Sequence, residues 1–178
     1  MFFLRLRRPP RSTLFPYTTL FRSETKLIAS DGSGWSFGQS VCISSDGTTA
    51  IVGAWGDGDN GSASGSAYIY ELIGGVWEET KLTASDGTNG EHFGISVSVS
   101  GDGATAIVGA WNDGDDGDNG YGSGSAYIYK LVGGVWVETK LIASDGVWDD
   151  HFGISVSVSS DGTSAIEIGR AHVGTPVT

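Results

Sequence analysis

Carboxylates crowd two stretches of this chain. Asp57-Gly58-Asp59-Asn60 and Asp113-Gly114-Asp115-Asp116-Gly117-Asp118-Asn119 are glycine-rich, contain no basic residue and set acidic groups one residue apart. Clustered carboxylates on such loops suit a hard cation such as Ca²⁺, which takes 6–8 oxygen ligands. Asp57 with Asp59, and Asp113 with Asp115, have the spacing of the first and third positions of an EF-like loop. The fifth position is then Gly61 or Gly117, and the twelfth is Tyr68 or Gly124 rather than Glu, so a formal EF-type site is absent. The metal candidates are therefore Asp57, Asp59, Asp113, Asp115, Asp116 and Asp118. The competing expectation is a solvated turn in which Asp and Asn bond their own backbone.

A second set of acidic and aromatic residues lies outside these stretches. Asp86, Glu91 and His92 form one group, and Asp145, Trp148, Asp149, Asp150 and His151 another, with Trp35 earlier in the chain. Trp35, Glu91, His92, Trp148, Asp149 and Asp150 are the candidates for ligand contact, because an exposed Trp beside carboxylates suits a carbohydrate or protein surface. An ordinary loop anchor is the alternative for each Trp. His92 and His151 each precede Phe-Gly, and a residue repeated in this way points to packing or a turn rather than to catalysis, which needs a unique asymmetric constellation. The single Cys, Cys42, excludes a disulfide framework and a Cys-based zinc site.

These groups recur because the chain repeats itself. Glu24-Thr25-Lys26-Leu27 returns at Glu79 and at Glu138, 55 and then 59 residues later. Each copy continues to Ala-Ser-Asp-Gly, then to Phe-Gly at Phe37, Phe93 and Phe152. Ala-Ile-Val-Gly-Ala-Trp ends at Trp55 and Trp111, Gly-Ser-Ala-Tyr-Ile-Tyr at Tyr70 and Tyr129, and Gly-Gly-Val-Trp at Trp77 and Trp136. Interblade or edge packing is the expected role of these four Trp residues.

Each repeat reads as four strands. Ile95–Val99 alternates apolar and small polar residues, as a half-buried strand does. Ala106–Ala110 is a near-continuous apolar run whose two faces should both be covered. Ala126–Tyr129 alternates and is rich in β formers, and Trp136–Ile142 is more charged, an outer strand. Asp-Gly and Gly-Gly pairs between them are hairpin signals. Four antiparallel strands repeating at this period predict β-propeller blades, with a sandwich or solenoid as the alternatives. In such a meander the 2–3 loop and the interblade 4–1 loop share one end, so both acidic sets should meet on one anionic face.

Phe93-Gly94, Val108-Gly109-Ala110 and Gly124-Ser125-Ala126-Tyr127 resemble the FG-GAP repeat, the blade of the integrin α-subunit propeller, most closely in its bacterial secreted and surface-protein form. The resemblance implies an all-β chain of propeller blades, a protein or carbohydrate ligand, and an extracellular or cell-surface location. Trp55 and Trp111 stand where that signature has Pro. The family's calcium motif between the first two strands is reduced to Ser45-Asp46-Gly47, Gly101-Asp102-Gly103 and Ser160-Asp161-Gly162, so calcium is not carried over there.

The ends differ in kind from the middle. Residues 7–23 and 168–178 resemble in-frame translations of two short-read sequencing adapters in opposite orientations, and a signal peptide does not fit the first, since Pro16 and the Thr residues break its apolar stretch. The expected organisation is 1–23 and 167–178 adapter-derived, 24–36 the outer strand of a preceding blade with its loop, 37–92 and 93–151 two blades, and 152–166 a truncated third. Closed propellers use typically 4–8 blades, so the expected fold is an incomplete fragment of a larger propeller whose further blades would be its first partners. Net charge is −11 for the whole chain. Between residues 24 and 166 it becomes −16, from 4 Lys and 20 acidic residues. That acidity disfavours nucleic acid, and no apolar run approaches the roughly 20 residues of a membrane span.

The expected function is a non-catalytic module binding a protein or glycan through its acidic loop face, with calcium as a candidate cofactor. Two other readings stand beside it: a scaffold for an extracellular enzyme whose catalytic residues lie elsewhere, and a purely structural spacer.

Overall fold

Short alternating runs separated by glycine pairs leave the chain few options but antiparallel hairpins. The computed structural model describes residues 25–32, 35–114 and 120–169. Its strands are β1 (Val41–Ile43), β2 (Thr49–Ala54), β3 (Ser66–Ile73), β4 (Val76–Leu82), β5 (Ser96–Val99), β6 (Thr105–Ala110), β7 (Ser125–Val132), β8 (Val135–Leu141), β9 (Ser155–Val158) and β10 (Ala165–Ile168). Helices are absent among the described residues.

Two four-stranded antiparallel meanders, β1-β2-β3-β4 and β5-β6-β7-β8, are followed by the pair β9-β10. The registers of the two meanders are equivalent: Ile51 faces Ile69 and Ile107 faces Ile128. Gly74 and Gly75 close the β3–β4 hairpin with φ of 59° and 87°, directly after the Ile73–Val76 pair. Positive φ at both turn residues gives the twist a two-residue hairpin needs, and glycine adopts it without a Cβ penalty.

The core lies between successive sheets. One buried cluster joins Ile51, Ala67 and Ile69 of the first sheet to Phe93, Val108, Tyr127 and Tyr129 of the second repeat. Phe93 is fully buried, its ring edge-on to Tyr127 at 5.3 Å and to Tyr129 at 6.2 Å. The opposite face of the first sheet, with Ala50, Val52, Tyr68 and Tyr70, packs on Leu27, Ala29 and Phe37. Every residue of β2 and β6 is therefore buried, as their unbroken apolar runs require. β4 and β8 are outer strands that alternate between exposed and half-buried positions.

The signature glycines have a steric origin. A Cβ on Gly53 would collide with the Gly94 carbonyl oxygen, and one on Gly109 with the Gly153 carbonyl oxygen. The Phe-Gly backbone of each repeat thus runs against the Val-Gly-Ala strand of the repeat before it, too closely for any side chain. Among the described residues none forms a sheet on the far side of the third one: Ile166 is 63% exposed, whereas Ile51 and Ile107 at the same register are 0% exposed. The sheets form propeller blades that do not close into a ring.

Candidate functional site on the loop face

The β2–β3 loop and the loop before the next repeat meet at one end of the blades, as the meander predicts. His92 N donates to the Ala63 carbonyl at 3.1 Å and Phe93 N to Ser64 at 2.9 Å. Asn89 Oδ1 accepts from Ser62 N at 2.7 Å, and Asn60 Nδ2 donates to the Ala84 carbonyl at 3.1 Å. The second junction repeats the pattern, His151 N to Gly122 at 3.0 Å and Phe152 N to Ser123 at 2.8 Å.

Beside the β2–β3 loop of the first sheet is a cation supplied by the chain. Asp31, Asp57 and Asp59 each bring a carboxylate oxygen within 4.8 Å of the others, close enough to share one ion. The Lys81 ammonium, from β4, sits among them, 2.5 Å from Asp31 Oδ2, 2.8 Å from Asp57 Oδ2 and against Asp59. The Tyr68 hydroxyl lies within hydrogen-bond reach of both Asp31 Oδ2 and Asp57 Oδ2, each at 3.0 Å. Asp57 Oδ1 accepts from Gly58 N at 2.7 Å. Lys81 passes over the Tyr68 ring, with Nζ 5.4 Å from its centroid.

The electrostatics follow. Burial alone would push the Asp57 carboxyl up, but Lys81, Ser66, Gly58 N and Tyr68 outweigh it and hold the group below the usual carboxylate range. Burial would likewise lower Lys81, and its three carboxylate partners instead raise it well above an ordinary lysine. The ammonium is 21% exposed and Asp57 only 7%, so the pair works in a partly desolvated setting.

The second sheet has the same parts beside its own equivalent loop, between β6 and β7. Lys140 Nζ lies 2.6 Å from Asp86 Oδ2 and 2.8 Å from Asp113 Oδ2, with the Tyr127 hydroxyl 2.9 Å from Asp86 and 3.0 Å from Asp113. Burial, then the charges of Asp113 and Asp86, push the Tyr127 hydroxyl far above its ordinary value, so it stays a donor. A second link lies beside each cluster. Ser30 Oγ donates to Glu79 at 2.6 Å and Ser85 Oγ to Glu138 at 2.6 Å, while Tyr70 and Tyr129 donate to the same glutamates. In both cases the Ser and one Asp, Asp31 or Asp86, come from the segment before the sheet, and Tyr, Glu, Lys and the other Asp residues from that sheet and its loop.

The remaining candidates scatter around this centre. Trp35 is 79% exposed and Trp148 70% exposed. Glu91, expected at the surface, is buried and accepts from the Thr88 hydroxyl at 2.8 Å, so its carboxylate faces the loop interior rather than a ligand. His92 is sandwiched, edge-on to Trp55 at 4.9 Å and stacked on Trp111 at 5.2 Å, and burial lowers its pKa. Trp111 in turn meets His151 at 4.5 Å. The repeated Trp and His residues thus build one packed column across the blades. Asp149 pairs with His151 at 2.8 Å, and Asp150 accepts from Val147 N at 2.7 Å. Asp115, Asp116 and Asp118 lie outside the described residues, as do residues 1–24 and 170–178.

The Ser-Asp-Gly turns sit at the opposite end. Asp46 accepts from Ser44 Oγ at 2.7 Å and Thr48 N at 2.9 Å, and Asp102 and Asp161 repeat the arrangement. The Ser159 hydroxyl, then the Thr163 backbone and hydroxyl, hold Asp161 at about 2. These carboxylates are turn-formers engaged with their own hairpins.

An open groove of about 470 Å³ lies on the loop face, lined by Trp35, Ser36, Trp55, Gly58 and Ser62. Sequence reasoning missed Asp31, Lys81, Lys140, Tyr68 and Tyr127 as site residues. The available signal was their recurrence at fixed positions in each repeat, which read as scaffold.

A comparison with curated proteins finds no match. A family model described as FG-GAP repeat matches residues 21–70, 77–129 and 136–166. Those three stretches contain the Phe-Gly and Val-Gly-Ala backbones that pack against each other at both junctions, and on that match the chain belongs to the FG-GAP repeat family.

Proposed function

We propose that the chain is a non-catalytic ligand-binding module of a secreted or cell-surface protein, and that it takes a glycan through its loop face. The observation that supports this reading is the groove beside Trp35. It offers two indole surfaces, Trp35 and Trp55, with the Asp59 carboxylate on the adjoining loop. Indole faces stack on the apolar side of a sugar ring, while carboxylates and backbone groups accept its hydroxyls. Trp148 lies exposed on the equivalent loop before the third repeat. Asp149, exposed, and Asp150, half-buried, flank it.

Calcium at Asp57 and Asp59 would meet the Lys81 ammonium, and at Asp113 the Lys140 ammonium. The proposed binding therefore does not depend on an ion at those residues.

A glycan array probed with the full chain tests the reading. Expected is binding to a defined subset of glycans that Trp35→Ala reduces by tenfold or more, on the order of 1.4 kcal/mol, without changing thermal stability. Binding that Trp35→Ala leaves intact, or no binding to any glycan, refutes it; capture of a protein ligand by the same face would favour the protein alternative.

A further inference from the structure

FG-GAP propellers are associated with calcium, yet neither acidic site here is arranged to receive it. The Ser-Asp-Gly carboxylates are engaged by their own turns, and the loop-face carboxylates close on a lysine. We infer that Lys81 and Lys140 are tethered cations that take the place of a metal ion at each junction, joining a carboxylate of one repeat to a carboxylate of the next, so that the blades assemble without calcium.

Three observations carry this. The ammonium stands where an ion would: the oxygens of Asp31, Asp57 and Asp59 converge on one point, and Lys81 Nζ occupies it at hydrogen-bond distance from each. A divalent ion there would need 6–8 oxygens at 2.3–2.6 Å and would lie against a positive charge.

The second observation is the direction of the link. Asp31 comes from the segment before the first sheet, whereas Asp57, Tyr68 and Lys81 belong to that sheet and its β2–β3 loop. Asp86 likewise leaves the first sheet and meets Asp113, Tyr127 and Lys140 of the second. A metal bridging two domains is replaced, in function, by one side chain.

The third is repetition. The two junctions differ in loop length, with three more residues between Trp111 and Tyr129 than between Trp55 and Tyr70. Nevertheless the Lys–Asp distances on the second carboxylate are the same, 2.8 Å in both. The ammonium of each lysine lies over a tyrosine ring, 5.4 Å from the Tyr68 centroid and 5.5 Å from the Tyr127 centroid.

Thermal unfolding of the full chain tests the inference. The native chain should have the same Tm in excess EDTA and in millimolar Ca²⁺. Lys81→Met keeps the length of the side chain and removes its charge, leaving Asp57 buried beside Asp31 without its counter-ion. Its Tm in EDTA should fall on the order of 10 °C, and Ca²⁺ should restore part of that loss by mass action. If Lys81→Met does not fold in EDTA, Asp57→Asn/Lys81→Met supplies the measurement: with both charges gone it should fold, and should be indifferent to Ca²⁺. The inference is overturned if Ca²⁺ stabilises or EDTA destabilises the native chain, if Lys81→Met unfolds at the native Tm or ignores Ca²⁺, or if the double variant is no more stable than the single.

Discussion

Phe93→Ala, set against Phe152→Ala, isolates what one sheet contributes to the next. Both residues open a Phe-Gly motif, and both backbones make the same parallel bridge to the preceding loop, Phe93 to Gly65 and Phe152 to Gly124. Their surroundings differ. Phe93 is fully buried in the inter-sheet cluster with two tyrosine rings edge-on to it, whereas Phe152 belongs to the repeat whose sheet has two strands and is only half-buried. Removing a fully buried Phe costs about 3–5 kcal/mol, from transfer and cavity together. Each edge-to-face ring contact contributes about 0.5–1.5 kcal/mol of that. A half-buried ring with no cavity to leave behind should cost below about 2 kcal/mol. The assay is urea unfolding followed by tryptophan fluorescence, with the m-value checked for constancy so that the midpoint shift reads stability. Expected is a difference between the variants of about 2 kcal/mol or more. Equal losses would refute the reasoning, because they would mean that the Phe-Gly motif acts through its own loop and not through the cluster between sheets.

Two further outcomes follow from the geometry. Gly109→Ala places a methyl group against the Gly153 carbonyl and Ser96 Oγ, and should destabilise the chain by more than about 3 kcal/mol, whereas Gly133→Ala, with open space around it and φ of 60°, should cost about 1 kcal/mol; urea midpoints decide. For pH, Lys81 has a folded pKa raised above its unfolded value, so its contribution is full below about pH 10.4 and is lost as pH rises beyond that toward the folded value. Asp57 and Asp86 are depressed, so theirs is full above about pH 3.9 and is lost as pH falls below it. Between these limits Lys81, Asp57 and Asp86 should contribute no change, and the loss expected there is that of His92, lowered by burial, as pH falls below about 6.5; a transition above neutral pH would contradict the assignment.

How legible was this in the sequence? The strands were, because a period of two, a doubly buried apolar run and Gly-Gly turns each have one simple structural solution. The common end of the acidic loops was, because a meander fixes which connections share a side. The lysines were not. Lys81 lies on a charged outer strand whose alternation between exposed and half-buried residues says only that one face is wetter. Its carboxylate Asp31 is 50 residues away in sequence, and no local pattern records that pairing. Glu91 misled for a related reason: a loop glutamate reads as solvated, and only the fold shows the loop closing over it. His92 was read two ways, and its place between Trp55 and Trp111 favours packing.

The nine residues Glu24–Gly32 are identical to Glu138–Gly146. In the matching segment Glu79–Gly87, Glu79 and Lys81 grip the segment before it, and Ser85 and Asp86 reach into the repeat after it. That segment is therefore both socket and plug, and its neighbours carry the same residue types. A gene carrying such units can gain or lose a whole one by unequal recombination without any compensating substitution at the seams, whereas a single-residue slip inside a segment would unseat two neighbours at once. Copy number is thus the variable that this sequence leaves cheapest to change.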